Sequence, residues 1–533
     1  MDNILILTII IVAYLFVVGY LGYYGYRKTK NALDYLVAGR SIHPFIMALS
    51  YGATFISTSA IVGFGGAAAF FGMGLLWLTF LNIFVGIIIA FIVFGKRTRK
   101  MGHSLDAHTF PELLGRRFQS SFIQGASGLI IFVFMPLYAA AVLIGAARFL
   151  EMTFATRIDY NVALLIYALI ISGYVLAGGI KGVMYTDALQ GTIMFVGMIA
   201  LLIFTYAKLG GVVAAHQALS ALSGQVPAKL AALGHLGWTR MPALGSNLWW
   251  NLVSTIVLGV GIGVLTQPQL AVRFMTVKSN KEINRAVMAG GLFILCMTGV
   301  AFVVGALSNV YFVNNPQFGK ISLAVAGGNI DKIIPTYINS AMPTWFVYLF
   351  MLTLLSAAMS TSSSQFHAMG TSIGRDFFER CLFRGKHSKY TVTVTRIGIV
   401  LGVLITVLLG YRLPGSIIAI ATAIFFGLCA SIFLPAYIGA LFWRGMTKAA
   451  VIASMMVGFL GTAFWLLFIH QKESEALGLC KFIFNKPTLA VFPWTVVDSI
   501  VVILPISLLV AIIVSLGTKK IPSDHINHCF KHI

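Results

Sequence analysis

Residues 44–72 read PFIMALSYGATFISTSAIVGFGGAAAFFG and form an apolar run long enough to cross a bilayer. Within this run, the stretch GATFISTS at 52–59 is followed by Gly63, Gly65 and Gly66. Glycine weakens a helix, and irregular backbone at membrane depth persists only where it is buried in protein or lines a polar cavity. The run therefore predicts a membrane helix that is broken near its middle.

Apolar runs of similar length recur along the whole chain, which has 533 residues, 59% of them hydrophobic and only 10% charged. Globular domains carry about 25% charged residues, so this composition indicates an all-α polytopic membrane protein with a single transmembrane domain over 1–533. Thirteen runs are predicted to span the membrane, at 3–24, 44–72, 74–95, 122–147, 161–179, 187–207, 247–272, 286–312, 344–372, 391–410, 415–443, 449–470 and 494–517.

The basic residues predict how the chain is oriented. With the N-terminus outside, the inner loops and the C-terminal tail hold 26 of the 37 Lys and Arg residues, and the outer loops hold 11. Cytoplasmic loops of membrane proteins carry this excess of positive charge, so we expect the N-terminus outside and the C-terminus inside. The net charge of +22 has the same explanation, and no nucleic-acid-binding motif accompanies it.

A second run, 247–272, also contains an interruption. It carries GVGIG at 259–263 and then Thr-Gln-Pro at 266–268, and proline removes a backbone donor. The glycines of either run alone are explained by close helix packing. The two interrupted runs are the second and the seventh, however, and they start from opposite sides of the membrane. This arrangement predicts an inverted repeat of five spans, 44–207 and 247–443, with a transport site at the two breaks.

The ninth run carries the hydroxyl-rich sequence SAAMSTSSSQ at 356–365. Such hydroxyls either bond to carbonyls of their own helix or help to bind a hard cation, which prefers oxygen ligands; both readings stay open. Charges within the spans are rare, which argues against a proton relay or a voltage sensor. Asp187, at the start of the sixth run, is interpreted as a helix N-cap in preference to a residue on an ion path.

Several function classes are excluded by missing motifs. No GxxxxGK[ST] sequence is present, which argues against ATP-driven transport, and no HExxH or comparable motif indicates an enzyme. The five cysteines are scattered and define no disulfide framework.

Four segments together resemble the sodium:solute symporter family over about residues 5–450. They are AGRS at 38–41, FPELLGRRF at 110–118, GGIKGVMYTDALQ at 178–190 and AAMST at 357–361. The resemblance implies a LeuT-type fold with one extra helix, 3–24, before the repeats and two accessory helices, 449–517, after them. It also implies sodium-coupled transport of a solute by alternating access, in the plasma (inner) membrane.

The resemblance implies a sodium site made by the backbone carbonyls of Ala53, Ile56 and Ala357 and the hydroxyls of Ser360 and Thr361. Arg40 and Asp187 match positions tied to sodium coupling. Phe55 stands where relatives often carry Asp or Asn, which predicts an ion site without a carboxylate at that position.

The solute pocket is expected to be apolar with a few hydroxyls, lined by Ser57, Ser59, Tyr138, Val260, Val264 and Gln267. The stretch ATFIS at 53–57 and the Ile262-Gly263 region look closest to the pantothenate and monocarboxylate branch of the family. The favoured solute is therefore a small organic anion that meets the positive end of a half-helix. The alternatives are a proline-type amino acid, or a sensor or channel without transport. Sodium, the solute and membrane lipid are the expected partners.

Overall fold

The computed structural model describes residues 2–154, 158–383, 390–531 and 533. These residues form helices joined by loops and contain no strand. Eleven helices of the described chain are long and apolar enough to cross a membrane, namely Thr8–Arg27, Ser59–Ser104, Ser121–Thr153, Gly179–Lys208, Asn247–Thr266, Asn280–Asn314, Thr344–Arg380, Thr391–Arg412, Ile418–Phe442, Lys448–Ile469 and Ile500–Gly517. Two shorter apolar helices are Pro44–Phe55 and Tyr160–Gly173.

All of the predicted apolar runs fall on these helices. The 46-residue stretch Ser59–Ser104 contains the end of the second run and the whole of the third, and Tyr160–Gly173 carries the fifth. The count of thirteen spans and the orientation of the termini remain predictions. Eight elements build the site and are numbered in chain order: α1 (Pro44–Phe55), α2 (59–71), α3 (Ser121–Thr153), α4 (Gly179–Lys208), α5 (Asn247–Thr266), α6 (Asn280–Asn314), α7 (Thr344–Thr371) and α8 (Ile418–Phe442).

The second run is broken, as the sequence predicts. Helix α1 begins with Pro44 in its first turn and ends at Phe55. Ile56 has an extended backbone, with φ −92° and ψ 105°, and the helix resumes at Ser59 as α2. The last carbonyls of α1 and the first N–H groups of α2 therefore lack helical partners in the protein interior.

The seventh run is broken at the Thr-Gln-Pro sequence, the second of the two features that predict its interruption. Helix α5 ends at Thr266, Gln267 has φ −70° and ψ 114°, and a short helical turn starts at Pro268. Proline lacks the N–H that would continue the helix and disfavours helical backbone at the residue before it. Both interruptions that the sequence predicts are thus present, whereas the boundaries of the inverted repeat remain a prediction.

Helix α4 starts at a kink that the sequence analysis did not locate. Gly179 has φ 58°, in the region that favours glycine, and a Cβ built on it would come within 2.6 Å of the Tyr35 ring. Because α4 restarts here, Asp187 lies two turns inside the helix and not at its first residue. The interpretation of Asp187 as an N-cap is wrong for this reason.

Candidate ion and solute site

The hydroxyls of α7 face the end of α1. The Ser360 hydroxyl lies 2.8 Å from the Ala53 carbonyl oxygen and 3.3 Å from that of Ala357. The Thr361 hydroxyl lies 3.2 Å from the Ala53 carbonyl oxygen and 3.1 Å from that of Thr54. All these residues are fully buried. The cluster offers neutral oxygens only, which is the ligand type that a hard cation prefers.

Four of the five residues predicted for sodium, Ala53, Ala357, Ser360 and Thr361, are brought together by these contacts. Ile56 lies at the break itself, and no hydrogen bond among the described residues reaches its carbonyl. The Thr54 carbonyl was missed by the sequence analysis. The signal for it was available, because the last four carbonyls of any helix lack helical partners and α1 ends one residue later.

Asp187 reaches the same region from α4. Its carboxylate accepts hydrogen bonds from the Ser50 hydroxyl at 2.7 Å and the Thr54 hydroxyl at 3.3 Å. It also forms an ion pair of 2.9 Å with Arg273, and both charged side chains are at most 1% exposed. Arg273 in turn donates to Ser364 of α7 at 2.6 Å. A buried charge needs such pairing, so the pair links α1, α4 and α7 just beside the ion site.

Arg273 is the main residue that the sequence analysis missed. It is a lone cation at the end of the apolar run 247–272, and an ionisable residue in such a place is a functional candidate by default. A carboxylate approaches the candidate ion site from α4, because Asp187 accepts a hydrogen bond from the Thr54 hydroxyl. The Phe55 ring lies 6.3 Å from the Phe426 ring.

Arg40 does not contact Asp187. Its guanidinium donates to the Asp106 carboxylate at 3.0 Å and to the Ala107 carbonyl at 3.2 Å, so it fixes the loop that leads into the FPELLGRRF segment. In that segment the buried Glu112 carboxylate lies 3.0 Å from Arg375 and 2.7 Å from Arg116. Burial opposes ionisation of Glu112, but the two guanidinium groups outweigh it and hold its pKa at about 2.

A small cavity lies directly beyond the break. Its volume in this structure is about 20 Å³, and it is lined by Phe55, Ile56, Ser57, Ala60, Phe64, Leu78, Asn82, Tyr138, Val260, Thr298, Phe302, Thr422 and Phe426; we call it the solute cavity. Tyr138 packs edge-on against the Phe426 ring at 5.2 Å, and Ser57 belongs to the same lining. No charged side chain is part of this lining, which is apolar apart from the Asn82 amide and the hydroxyls of Ser57, Tyr138, Thr298 and Thr422.

The structure places only half of the predicted pocket residues on this cavity. Ser57, Tyr138 and Val260 line it. Ser59, Val264 and Gln267 do not. The Gln267 amide donates to the Gly263 carbonyl at 3.1 Å. Val264 packs beside Gly86. A role for these three in binding remains a prediction that the cavity does not support.

Three polar residues of the lining were missed, namely Asn82, Thr298 and Thr422. The Asn82 side-chain oxygen is buried and has no hydrogen-bond partner within the described ranges. A single Asn in the apolar run 74–95 was the available signal, since polar groups at membrane depth are expensive. The two threonines lie on α6 and α8, and nothing in the sequence joins those helices to the break.

Comparison with known proteins identifies the class of protein. Residues 35–458 match the sequence profile of the Sodium:solute symporter family. This match covers most of the chain, so the chain belongs to the sodium:solute symporter family and is a multi-pass, sodium-coupled solute symporter. The resemblance stated from its motifs is confirmed, and sodium is the coupling ion.

Individual relatives agree with this assignment. The chain is 27% identical to a sodium/proline symporter of Staphylococcus aureus over 495 residues, which cover 89% of each protein. Among solved structures, a Na+-coupled sialic acid symporter in a substrate-bound outward-open state matches with a TM-score of 0.72 and 18% identity, over 98% of this chain and 99% of that one. A nucleobase-cation-symport-1 family transporter matches with a TM-score of 0.51, 13% identity and coverage of 94% and 99%. These neighbours are LeuT-fold transporters, which supports the expected fold class.

Proposed function

We propose that this chain couples sodium to the uptake of a small zwitterionic amino acid of the proline type, by alternating access across the plasma (inner) membrane. The observation that carries the proposal is that one break serves both sites. The carbonyls of Ala53 and Thr54 meet the α7 hydroxyls, and the next residues, Phe55 to Ser57, line the solute cavity.

This shared break gives a physical route to coupling. A cation bound between α1 and α7 would hold the Ala53 and Thr54 carbonyls in place and so order the stretch that forms one wall of the solute cavity. The solute would then bind better to the ordered cavity, and the cation would bind better in its presence, because coupling between two sites is reciprocal.

The lining of the solute cavity favours a zwitterion over an anion. An organic anion would enter without a cationic side chain in the lining to balance its charge, which is costly in an enclosed apolar site. The unpartnered Asn82 oxygen can accept a hydrogen bond from an ammonium group. The start of α2, whose dipole is positive, suits a carboxylate. A monocarboxylate or pantothenate-like solute, the class favoured by the sequence pattern, is therefore the second candidate.

The sodium site is tested by uptake of radiolabelled proline into proteoliposomes with and without a sodium gradient. We expect Ser360→Ala and Thr361→Ala each to raise the sodium concentration needed for half-maximal uptake by about tenfold, since each variant removes an oxygen ligand. Ser362→Ala is the matched control, because the Ser362 hydroxyl is buried on the same helix without a hydrogen-bond partner among the described residues.

Two results would overturn the proposal. If the uptake of every tested amino acid were independent of sodium, the proposed sodium coupling would be refuted. Sodium-dependent uptake of pantothenate or a monocarboxylate, together with no uptake of amino acids, would instead establish the second candidate.

A further inference from the structure

An open groove lies between three helices on the flank of the protein. Its volume is about 690 Å³, and it is lined by Tyr26, Gly173, Leu176, Thr393, Arg396, Ile397, Val400 and Leu401; we call it the side groove. None of these residues lines the solute cavity or belongs to the candidate ion site. A volume of about 300–1,000 Å³ is typical of a site for a ligand of moderate size.

One wall of the side groove is apolar and turned away from the protein interior. Ile397, Val400 and Leu401 are each 44–54% exposed, and Leu404, one turn further along the same helix face, is 55% exposed. All four residues belong to Thr391–Arg412, which is long and apolar enough to cross a membrane. An exposed apolar wall on such a helix is suited to contact with lipid acyl chains.

The polar residues of the side groove lie at the ends of two spans. Tyr26 is the penultimate residue of Thr8–Arg27, and Thr393 and Arg396 lie in the first two turns of Thr391–Arg412. The charge distribution predicts that the first span ends, and the tenth begins, at the cytoplasmic side. We therefore expect the groove to open at the depth of the inner-leaflet headgroups, where Tyr side chains are enriched.

Arg396 is the cationic residue of the side groove. It is exposed, and its Nε donates to the Leu176 carbonyl at 2.9 Å. No carboxylate among the described residues lies within 4.0 Å of its guanidinium nitrogens. Another cation near this end of the spans does have an acidic partner, since Lys181 lies 3.2 Å from Asp34. The charge of Arg396 thus favours an anionic ligand at the groove.

A guanidinium in this position suits a phosphate group. Arginine presents its N–H donors in a fixed fork that matches the oxygens of a phosphate, and the Leu176 carbonyl accepts from only one of the nitrogens of Arg396. Basic pockets between membrane helices on the cytoplasmic side bind the headgroups of anionic lipids. Arg27 and Lys28, at the end of the first span, add positive charge on the same side of the membrane.

We propose that the side groove binds one anionic phospholipid of the inner leaflet, with its phosphate on Arg396 and one acyl chain along the apolar wall. Leu176, whose carbonyl Arg396 holds, lies three residues before the kink at Gly179. The headgroup therefore lies against the segment that leads into α4. The site is separate from the ion and solute sites, so it stands independently of the proposed function.

The test measures lipid binding to the full chain, purified in detergent, by native mass spectrometry. Phosphatidylglycerol and phosphatidylcholine with the same acyl chains are the probes, because both carry a phosphate but only the first has a net negative charge. We expect the wild type to bind phosphatidylglycerol about fivefold more tightly. Arg396→Gln should abolish this preference, whereas Arg412→Gln, at the other end of the same helix and outside the lining, should keep it.

A second variant tests the groove itself. A Cβ on Gly173 would meet no atom within 4 Å, so the side chain of Gly173→Leu can occupy the groove without displacing protein atoms. We expect it to weaken phosphatidylglycerol binding about fivefold, because the acyl chain loses contact area, and to leave the melting temperature unchanged. Gly19→Leu is the matched control, since Gly19 is equally open on Thr8–Arg27 and does not line the groove.

Three results would overturn the proposal. They are equal affinities of the wild type for the two lipids, a preference that survives in Arg396→Gln, and undiminished binding in Gly173→Leu. Should Arg396→Gln fail to fold, the comparison of Gly173→Leu with Gly19→Leu decides the matter alone. None of these measurements involves transport, so the lipid proposal and the proposed function can fail separately.

Discussion

Arg273 and Asp187 carry opposite charges in a place from which water is excluded. Each is bonded to a hydroxyl of α1, since Arg273 donates to Ser50 at 2.9 Å and Asp187 accepts from Ser50 and Thr54. A buried ion pair of this kind adds little net stability relative to apolar residues. Its effect is to fix the side chain of Thr54, whose carbonyl accepts from Thr361 in the proposed ion site.

Asp187→Ala tests this role. The variant leaves Arg273 buried without its partner, which costs about 3–5 kcal/mol, so we expect a lower melting temperature in detergent and little uptake. The double variant Asp187→Leu with Arg273→Met should recover the melting temperature but not sodium-dependent uptake. Recovery of both properties would show that the pair has no part in coupling. The melting temperature is measured by size-exclusion chromatography after heating.

The two interrupted helices approach neighbouring helices so closely that only glycine fits at the points of contact. Helix α5 passes α8 so closely that a Cβ on Gly263 would lie 2.4 Å from the Phe426 carbonyl oxygen. Phe426 is also part of the solute cavity. The glycines of α5 thus set how near α8 comes to the cavity, whereas the break itself lies at Gln267-Pro268.

Gly263→Ala is expected to reduce uptake more than about tenfold, because overpacking of about 1–3 kcal/mol must push α8 away or distort α5. Gly259→Ala, one turn earlier on the same helix, is the control. Its Cβ would find its nearest atom, the Ala423 carbonyl oxygen, at 3.5 Å, an ordinary contact. Uptake rates normalised to the amount of folded protein decide the matter, and equal losses in both variants would refute the packing argument.

In the whole molecule, the ion pairs that Glu112 forms with Arg375 and Arg116 connect distant parts of the chain. Glu112 contacts Arg375, in the helical extension Ser372–Leu382 that follows α7, and Arg40 connects the start of α1 to the loop before Glu112. The basic residues that predict the cytoplasmic side therefore include those that tie α1, the FPELLGRRF segment and α7 together. The ends of the two helices that carry the ion site are joined at that side.

The orientation itself is open to a direct test. An odd number of spans places the two termini on opposite sides, and the excess of Lys and Arg places the C-terminus inside. Reporters that are active only in the cytoplasm, or only outside it, should therefore give opposite results when fused to the two ends. Reporters on the same side would show an even number of spans.

The positions of the two breaks and of the hydroxyl-rich stretch at 356–365 could be read from the order of the amino acids alone. Glycine and proline act on the backbone locally, and unpaired backbone in a membrane must find partners, so Gly52–Ser59 and Gln267-Pro268 could be located without a structure. The same local logic explains why Ala53, Ser360 and Thr361 were predicted together once the family resemblance supplied the pairing of α1 with α7.

Which side chains share a cavity depends on how the helices pack against one another. The faces of α2, α5, α6 and α8 that meet depend on rotations and kinks, such as that at Gly179, and a periodic pattern does not record them. For this reason Asn82 and Thr298 were missed, whereas Ser59 and Gln267 were expected on a lining that they do not reach. The pairing of Arg273 with Asp187, 86 positions away, likewise follows from burial of both charges in one place, because neither can remain unpaired there.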